Sequence, residues 1–200
     1  MGMKKRFVHL HVHSHYSLLS ALPRVDELID KAKELKMDAI ALTDNGNLYG
    51  AIEFYKNSKK EGIKPIIGID AYVALRKISD KQAGIDNRRT RIVLLAENLT
   101  GYKNLIKIAT DSHLEGFYYK PRVDKDLLAK YKEGLIAILP SFSGDVAVAL
   151  RNNDPEVAKE KLNMYKEIFG DKNLFMEITH HPEIENHGEL MQKIIAFGKA

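Results

Sequence analysis

Apolar residues recur along this chain in two alternating rhythms, a period of two and a period near 3.6, and the alternation predicts an α/β fold. The first run, Phe7-Val-His-Leu-His-Val-His-Ser-His-Tyr-Ser17, has period two. It predicts a strand with His9, His11 and His13 on one face and Val8, Leu10 and Val12 on the other. After a loop over 17–23, Val25, Leu28, Ile29, Ala32 and Leu35 recur at helical spacing, predicting a helix over 25–36 behind Pro23. A short buried strand over 38–43 ends in the turn residues Asp44-Asn-Gly-Asn47. A helix over about 48–61, stopped by Gly62, and a strand over 65–73 complete a β-α-β-α-β series. Such a series with short loops implies parallel strands and right-handed crossovers.

The polar, basic stretch 76–91 reads as a surface excursion. Strands over 92–96, 135–139 and 174–178 then alternate with helices over about 101–113, 154–169 and from 186 onward. The stretch Glu115-Gly-Phe-Tyr-Tyr-Lys-Pro-Arg122 is an aromatic, basic loop, suited either to stacking on bases or binding phosphate, or to packing on a barrel wall. About six strands are thus expected in one domain over residues 1–200, fewer than the seven or eight of a closed barrel.

Composition narrows the chemistry. Of 200 residues, 44% are hydrophobic, enough for a sizeable core, and none is cysteine, so any metal must be held by imidazole and carboxylate. No apolar run approaches the ~20 residues that span a bilayer and no signal peptide precedes the first strand, so the chain is expected to be cytoplasmic and not membrane-bound. A net charge of +4 permits weak attraction to nucleic acid but does not require it.

Functional groups of parallel α/β folds gather at the C-terminal ends of strands. Those ends carry His11 and His13, Asp44 and Asn45, Asp70, Ser141, and Glu177 with His180 and His181, while Arg91 lies near the start of its strand. Converging imidazoles need a metal ion, a phosphate or a carboxylate as partner. Adjacent residues on a strand face opposite ways, which argues against His180 and His181 sharing one ion. His15, His113 and His187 are read as surface residues.

The opening histidine run to Leu19 is one of five informative blocks. The others are Ala41-Leu-Thr-Asp-Asn-Gly-Asn-Leu-Tyr-Gly-Ala-Ile-Glu-Phe-Tyr55, Gly62-Ile-Lys-Pro-Ile-Ile-Gly68, Leu94-Leu-Ala-Glu-Asn-Leu-Thr-Gly-Tyr-Lys-Asn-Leu105 and the aromatic loop 114–122. Together they resemble the PHP (polymerase and histidinol phosphatase) domain found at the N-terminus of bacterial DNA polymerase III alpha subunits. The resemblance implies a distorted (β/α)7 barrel, here cut before its last strands, with Ala200 the end of a fragment. It also implies a parent DNA-directed DNA polymerase, a nucleotidyltransferase of DNA replication that uses Mg and works with DNA, its own remaining domains and other replicase subunits.

Intact members of the family hold up to three metal ions and can act as phosphoesterases or 3′–5′ exonucleases. Carried over position by position, the family's ligands fall on His11, His13, Ser20, Asn45, Asp70, Arg91 and Ser141, and a closing Asp-x-His pair would lie beyond Ala200. His11 and His13 are kept and Asp70 is still a carboxylate. Ser20, Asn45, Arg91 and Ser141 replace better ligands, and Arg91 brings a fixed positive charge that can pair with Asp70. The expectation is a degenerate site of His11, His13 and Asp70, holding no metal or one weakly bound Zn or Mn ion. No catalytic residue and no organic cofactor is assigned, and the fragment is expected to be inactive alone. A metal-dependent phosphoesterase or proofreading exonuclease is the alternative, and a histidine-lined anion site a third, weaker reading.

Overall fold

The computed structural model describes residues 7–199. Strand β1 (Ala39–Leu42) and the long strand β2 (Lys64–Ala74) pair in parallel, joined through helix α2 (Ala51–Lys60), with α1 (Val25–Glu34) preceding β1. Strand β3 (Arg89–Ala96) then runs antiparallel to β2, and β5 (Leu135–Leu139) antiparallel to β3. β4 (Arg122–Val123) lies parallel to the end of β2, and β6 (Leu174–Met176) parallel to β5. Helices α3 (Leu99–Leu114), α4 (Lys125–Lys130), α5 (Asp145–Arg151), α6 (Pro155–Phe169) and α7 (His187–Lys199) complete the order. The result is a mixed six-stranded sheet of the distorted barrel type. The reversal at β3 has a simple cause: residues 75–88 contain no crossover helix, so the chain turns straight back along β2.

β2 organises the sheet. Its side chains from Gly68 to Ala74 are all buried, so both faces are covered. Ile69, Ala71 and Val73 join Ile92, Leu94, Ala137 and Leu139 in the main core, which α3, α5, α6 and α7 cover with Leu105, Ile108, Val146, Tyr165 and Ile194. On the other face stand Asp70 and Tyr72. The register sets Tyr72 opposite Arg91 and Asp70 opposite Val93, so Arg91 is delivered to the same face. Below them Val93, Leu95, Ala41 and Ile138 form a small inner cluster.

Several elements differ from the sequence expectation. The histidine run is not a regular strand. It lies along β1, with Ala41 and Thr43 donating their N–H groups to the carbonyls of His9 and Val12. Three residue steps on one side thus face two on the other, and the extra residue breaks the strict alternation. His9 and Leu10 therefore end exposed, while His11 and His13 stay inward. Helices α4 and α5 and strand β4, too short to show a period, lie where no element was predicted.

The basic stretches are also more than surface. Arg122 is fully buried, and its guanidinium donates to the carbonyls of Gly116, Asp86, Ile78 and Asp80 at 2.8–3.0 Å. Asp86, 1% exposed, accepts from Arg76 at 2.5 and 2.9 Å and from the Gln82 N–H. The excursion after β2 is thereby fastened to the aromatic loop, and Gly116 is required there because a Cβ would stand 2.1 Å from the Arg122 carbonyl oxygen. This gives a test. Arg122→Met strands four carbonyls and should lower the unfolding free energy in urea by about 3 kcal/mol, while Arg122→Lys, with one nitrogen for four acceptors, should recover less than half of that loss.

Candidate functional site

Asp44, 2% exposed, anchors the loop that carries the histidines. Its carboxylate accepts from the Ser14 N–H at 2.7 Å, the Ser14 hydroxyl at 2.8 Å and the Ser17 hydroxyl at 2.6 Å. Ser17 Oγ in turn accepts the Asn45 N–H at 2.9 Å. Gly46 makes the sharp exit from β1 possible: its φ is +66°, and a Cβ would press on Pro121 and Tyr72. Thus Asp44, singled out for its position at a strand end, holds the loop rather than facing the cavity.

The loop then presents His11 and His13 to Asp70. Both Nε2 atoms lie 3.1 Å from one oxygen, Asp70 Oδ2, and the Arg91 Nη2 lies 2.6 Å from that same oxygen. Arg91 Nη2 also contacts Asn45 Oδ1, and its guanidinium stacks 4.4 Å over Tyr72. On the far side His11 Nδ1 is 2.7 Å from Glu177 Oε1, and Glu177 Oε2 accepts the Ser141 N–H at 2.9 Å and the Ser141 hydroxyl at 3.1 Å. Ser141 Oγ continues to Thr179 Oγ1 at 2.9 Å, which meets His187 Nε2 at 3.2 Å.

The protonation states follow from these contacts. Burial opposes charge on His11, but the hydrogen bonds and charges of Asp70 and Glu177 outweigh it and push its pKa up to about 9. Burial would likewise raise Asp70, yet the His11 and His13 hydrogen bonds and the Arg91 charge hold it down at about 2. Glu177 is lowered in the same way, its burial outweighed by His11 and Ser141. At neutral pH His11 is therefore an imidazolium donating from both nitrogens, and Asp70 and Glu177 are carboxylates.

His11, His13 and Asp70 place one ligand atom each within 4.8 Å of one another, a grouping of the size that a metal ion needs. Asp70 Oδ1 is buried without a hydrogen-bond partner. A model of the PHP domain family matches residues 9–181. The chain belongs to the PHP domain family. Its relatives include the DNA polymerase III subunit alpha of Borreliella burgdorferi, 48% identical over 90% of this chain. Those of Aquifex aeolicus and Thermus aquaticus are 43% and 38% identical over 88% and 96% of it. In each case the match spans 16% of the relative, so the chain is about a sixth the length of the curated relatives it matches.

Two solved structures share the fold. A Bifidobacterium adolescentis protein assigned as a metal-dependent phosphoesterase has TM-score 0.58 at 10% identity, covering 98% of this chain and 85% of that one. An amidohydrolase of Chromobacterium violaceum has TM-score 0.52 at 14% identity, covering 96% and 81%.

Of the positions singled out in the sequence by the family resemblance, His11, His13, Asn45, Asp70 and Arg91 come together, and Ser141 reaches the cluster through Glu177. Ser20 does not: it is exposed, in a turn on Ser17. His180 and His181 are both exposed, and His181 is bonded to Glu183 at 3.0 Å. Two expectations of surface histidines are corrected. His187 is 5% exposed, under the loop after β6, and His15 is half-buried against Tyr16. Glu177 was visible as a strand-end carboxylate, but nothing in its spacing tied it to His11, 166 residues away.

The His11 assignment has a signed consequence. Its pKa in the folded chain, about 9, lies above the ordinary 6.5, so its stabilising contribution is complete below pH 6.5 and disappears as pH rises through 9. Urea unfolding between pH 6 and 9.5 should show that decline in the native chain and a flatter profile in His11→Gln.

Proposed function

We propose that residues 1–200 form the N-terminal PHP domain of a bacterial DNA polymerase III alpha subunit and serve it structurally, without hydrolysing phosphoesters. The observation that carries this reading is Arg91 Nη2 at 2.6 Å from Asp70 Oδ2, the oxygen that His11 and His13 also address. A guanidinium cannot lose its proton in a protein, so it stands as a permanent cation beside the only carboxylate of the His11–His13–Asp70 group. The residues present do not fit a cluster of two or three ions, which needs shared carboxylate or imidazole bridges. One Zn or Mn ion on His11, His13 and Asp70 requires that Arg91 swing away and His11 lose a proton, so it is held weakly.

In this reading the polymerase chemistry belongs to the remainder of a longer chain, a Mg-dependent nucleotidyltransferase of DNA replication working on DNA with other replicase subunits in the cytoplasm. No helix among the described residues is long and apolar enough to cross a membrane, which fits that setting. The phosphoesterase or 3′–5′ exonuclease alternative draws its support from the retained His11, His13 and Asp70.

Metal analysis separates the two. After exchange into Zn²⁺ or Mn²⁺ and removal of loose ions, the untagged protein should retain less than about a tenth of an equivalent, unchanged by His11→Ala with His13→Ala. It should also leave a labelled single-stranded DNA intact. A full equivalent lost in that double variant, accompanied by DNA trimming, would favour the nuclease.

A further inference from the structure

We propose that Asn45 is a site of spontaneous deamidation that the fold holds closed, because the Gly46 nitrogen that must attack its carboxamide is bound to the Asp70 carbonyl. The modification needs only water, so it stands apart from any metal or phosphoester chemistry.

Asn45-Gly46 is the one Asn-Gly pair of the sequence. Glycine has no side chain to shield its amide nitrogen, and it lets the main chain swing into the conformations that attack requires. In the reaction the Gly46 nitrogen bonds to Asn45 Cγ and the Cγ–Nδ2 bond breaks. Nδ2 departs as ammonia with the proton that the Gly46 nitrogen gives up. Water then adds to one of the two carbonyls of the five-membered imide and breaks its bond to nitrogen. One opening leaves aspartate. The other leaves isoaspartate, in which the main chain runs through the side-chain carbons and is one atom longer.

Every part of that motion is opposed in the folded chain. The Gly46 N–H donates to the Asp70 carbonyl at 2.9 Å and the Asp70 N–H to the Asp44 carbonyl at 3.1 Å, so the turn is tied to β2 on both sides of Asn45. The Asn45 N–H is held by Ser17 Oγ at 2.9 Å, and its carbonyl accepts from Asn47 Nδ2 at 3.0 Å. Gly46 is buried, with Pro121 and Tyr72 packed where a Cβ would stand, which leaves its peptide no room to turn. One contact works the other way. Asn45 Oδ1 meets the Arg91 guanidinium, which draws electrons from the amide carbon and by itself favours attack. Polarisation acts only on behalf of a nitrogen within bonding reach and free to lose its proton, and this nitrogen is committed to Asp70.

Deamidation therefore proceeds through states in which the turn has opened, at the rate of the open chain multiplied by the open fraction. The same opening exposes the Gly46 amide to hydrogen exchange, so one equilibrium governs both.

Protein is aged in mildly alkaline buffer, folded or in urea, and deamidation at Asn45 is quantified by peptide mass spectrometry while Gly46 amide exchange is followed by NMR. The folded chain should deamidate at least about a hundredfold more slowly than the unfolded one, by a factor that matches the Gly46 exchange protection. Ser17→Ala, which removes the acceptor of the Asn45 N–H, should raise the deamidation rate about fivefold and lower that protection equally. A folded-chain rate within about threefold of the unfolded one would overturn the proposal. So would a rate that stays fixed while Gly46 protection falls. Refolded after ageing, isoaspartate chains should lose Gly46 protection, whereas Asn45→Asp, with its carboxylate on an unaltered backbone, should keep it. Full protection in the isoaspartate chains would overturn the role given to the Gly46–Asp70 bond.

Discussion

A single buried carboxylate, Asp70, sets the terms for the rest of this structure. It is 1% exposed on the central strand, where an unpaired charge would be strongly destabilising. Three groups from two segments answer it: His11 and His13 from the N-terminal run and Arg91 from β3. The antiparallel register that sets Arg91 opposite Tyr72 is therefore as much an electrostatic arrangement as a packing one. Removing one partner leaves the others facing a charge they no longer neutralise, so the three are coupled and their effects will not add.

The same contacts set the charge distribution of the site. Asp70 Oδ2 is crowded by a guanidinium and two imidazoles while Oδ1 is buried without a partner, and His11 is drawn into its charged form by Asp70 and by Glu177 behind it. Arg91 builds a permanent positive charge into the site beside Asp70.

A second polar knot governs the other half of the site: buried Asp86 takes half-exposed Arg76 on its carboxylate and buried Arg122 on its carbonyl. It turns a long polar connection into a rigid wall of the cavity, so Asn87, Arg88 and Arg89 face the cavity from defined positions. Besides it, the fourteen residues between β2 and β3 are tied down by the Ile78 N–H on Asp124 at 2.9 Å and by Ile78 against the core.

Helices α1, α2, α3 and α6 and the apolar cores of most strands were legible from periodicity, because burial on one face imposes 2.0 or 3.6 spacing. The family was legible from local blocks, and with it His11, His13, Asp70 and the substitution by Arg91, since each depends only on residue identity at a position. The direction of β3 was not, because reversal depends on whether the connection packs back as a helix. Nor was the outward turn of His9, which follows from a one-residue mismatch against β1. The burial of His187 and the pairing of His11 with Glu177 join segments far apart in sequence, and no local pattern encodes such contacts. Residue types along the chain thus determined the fold class and which ligands could be present; only the tertiary packing decided which charges would meet, because that depends on strand register and on water being excluded between distant segments.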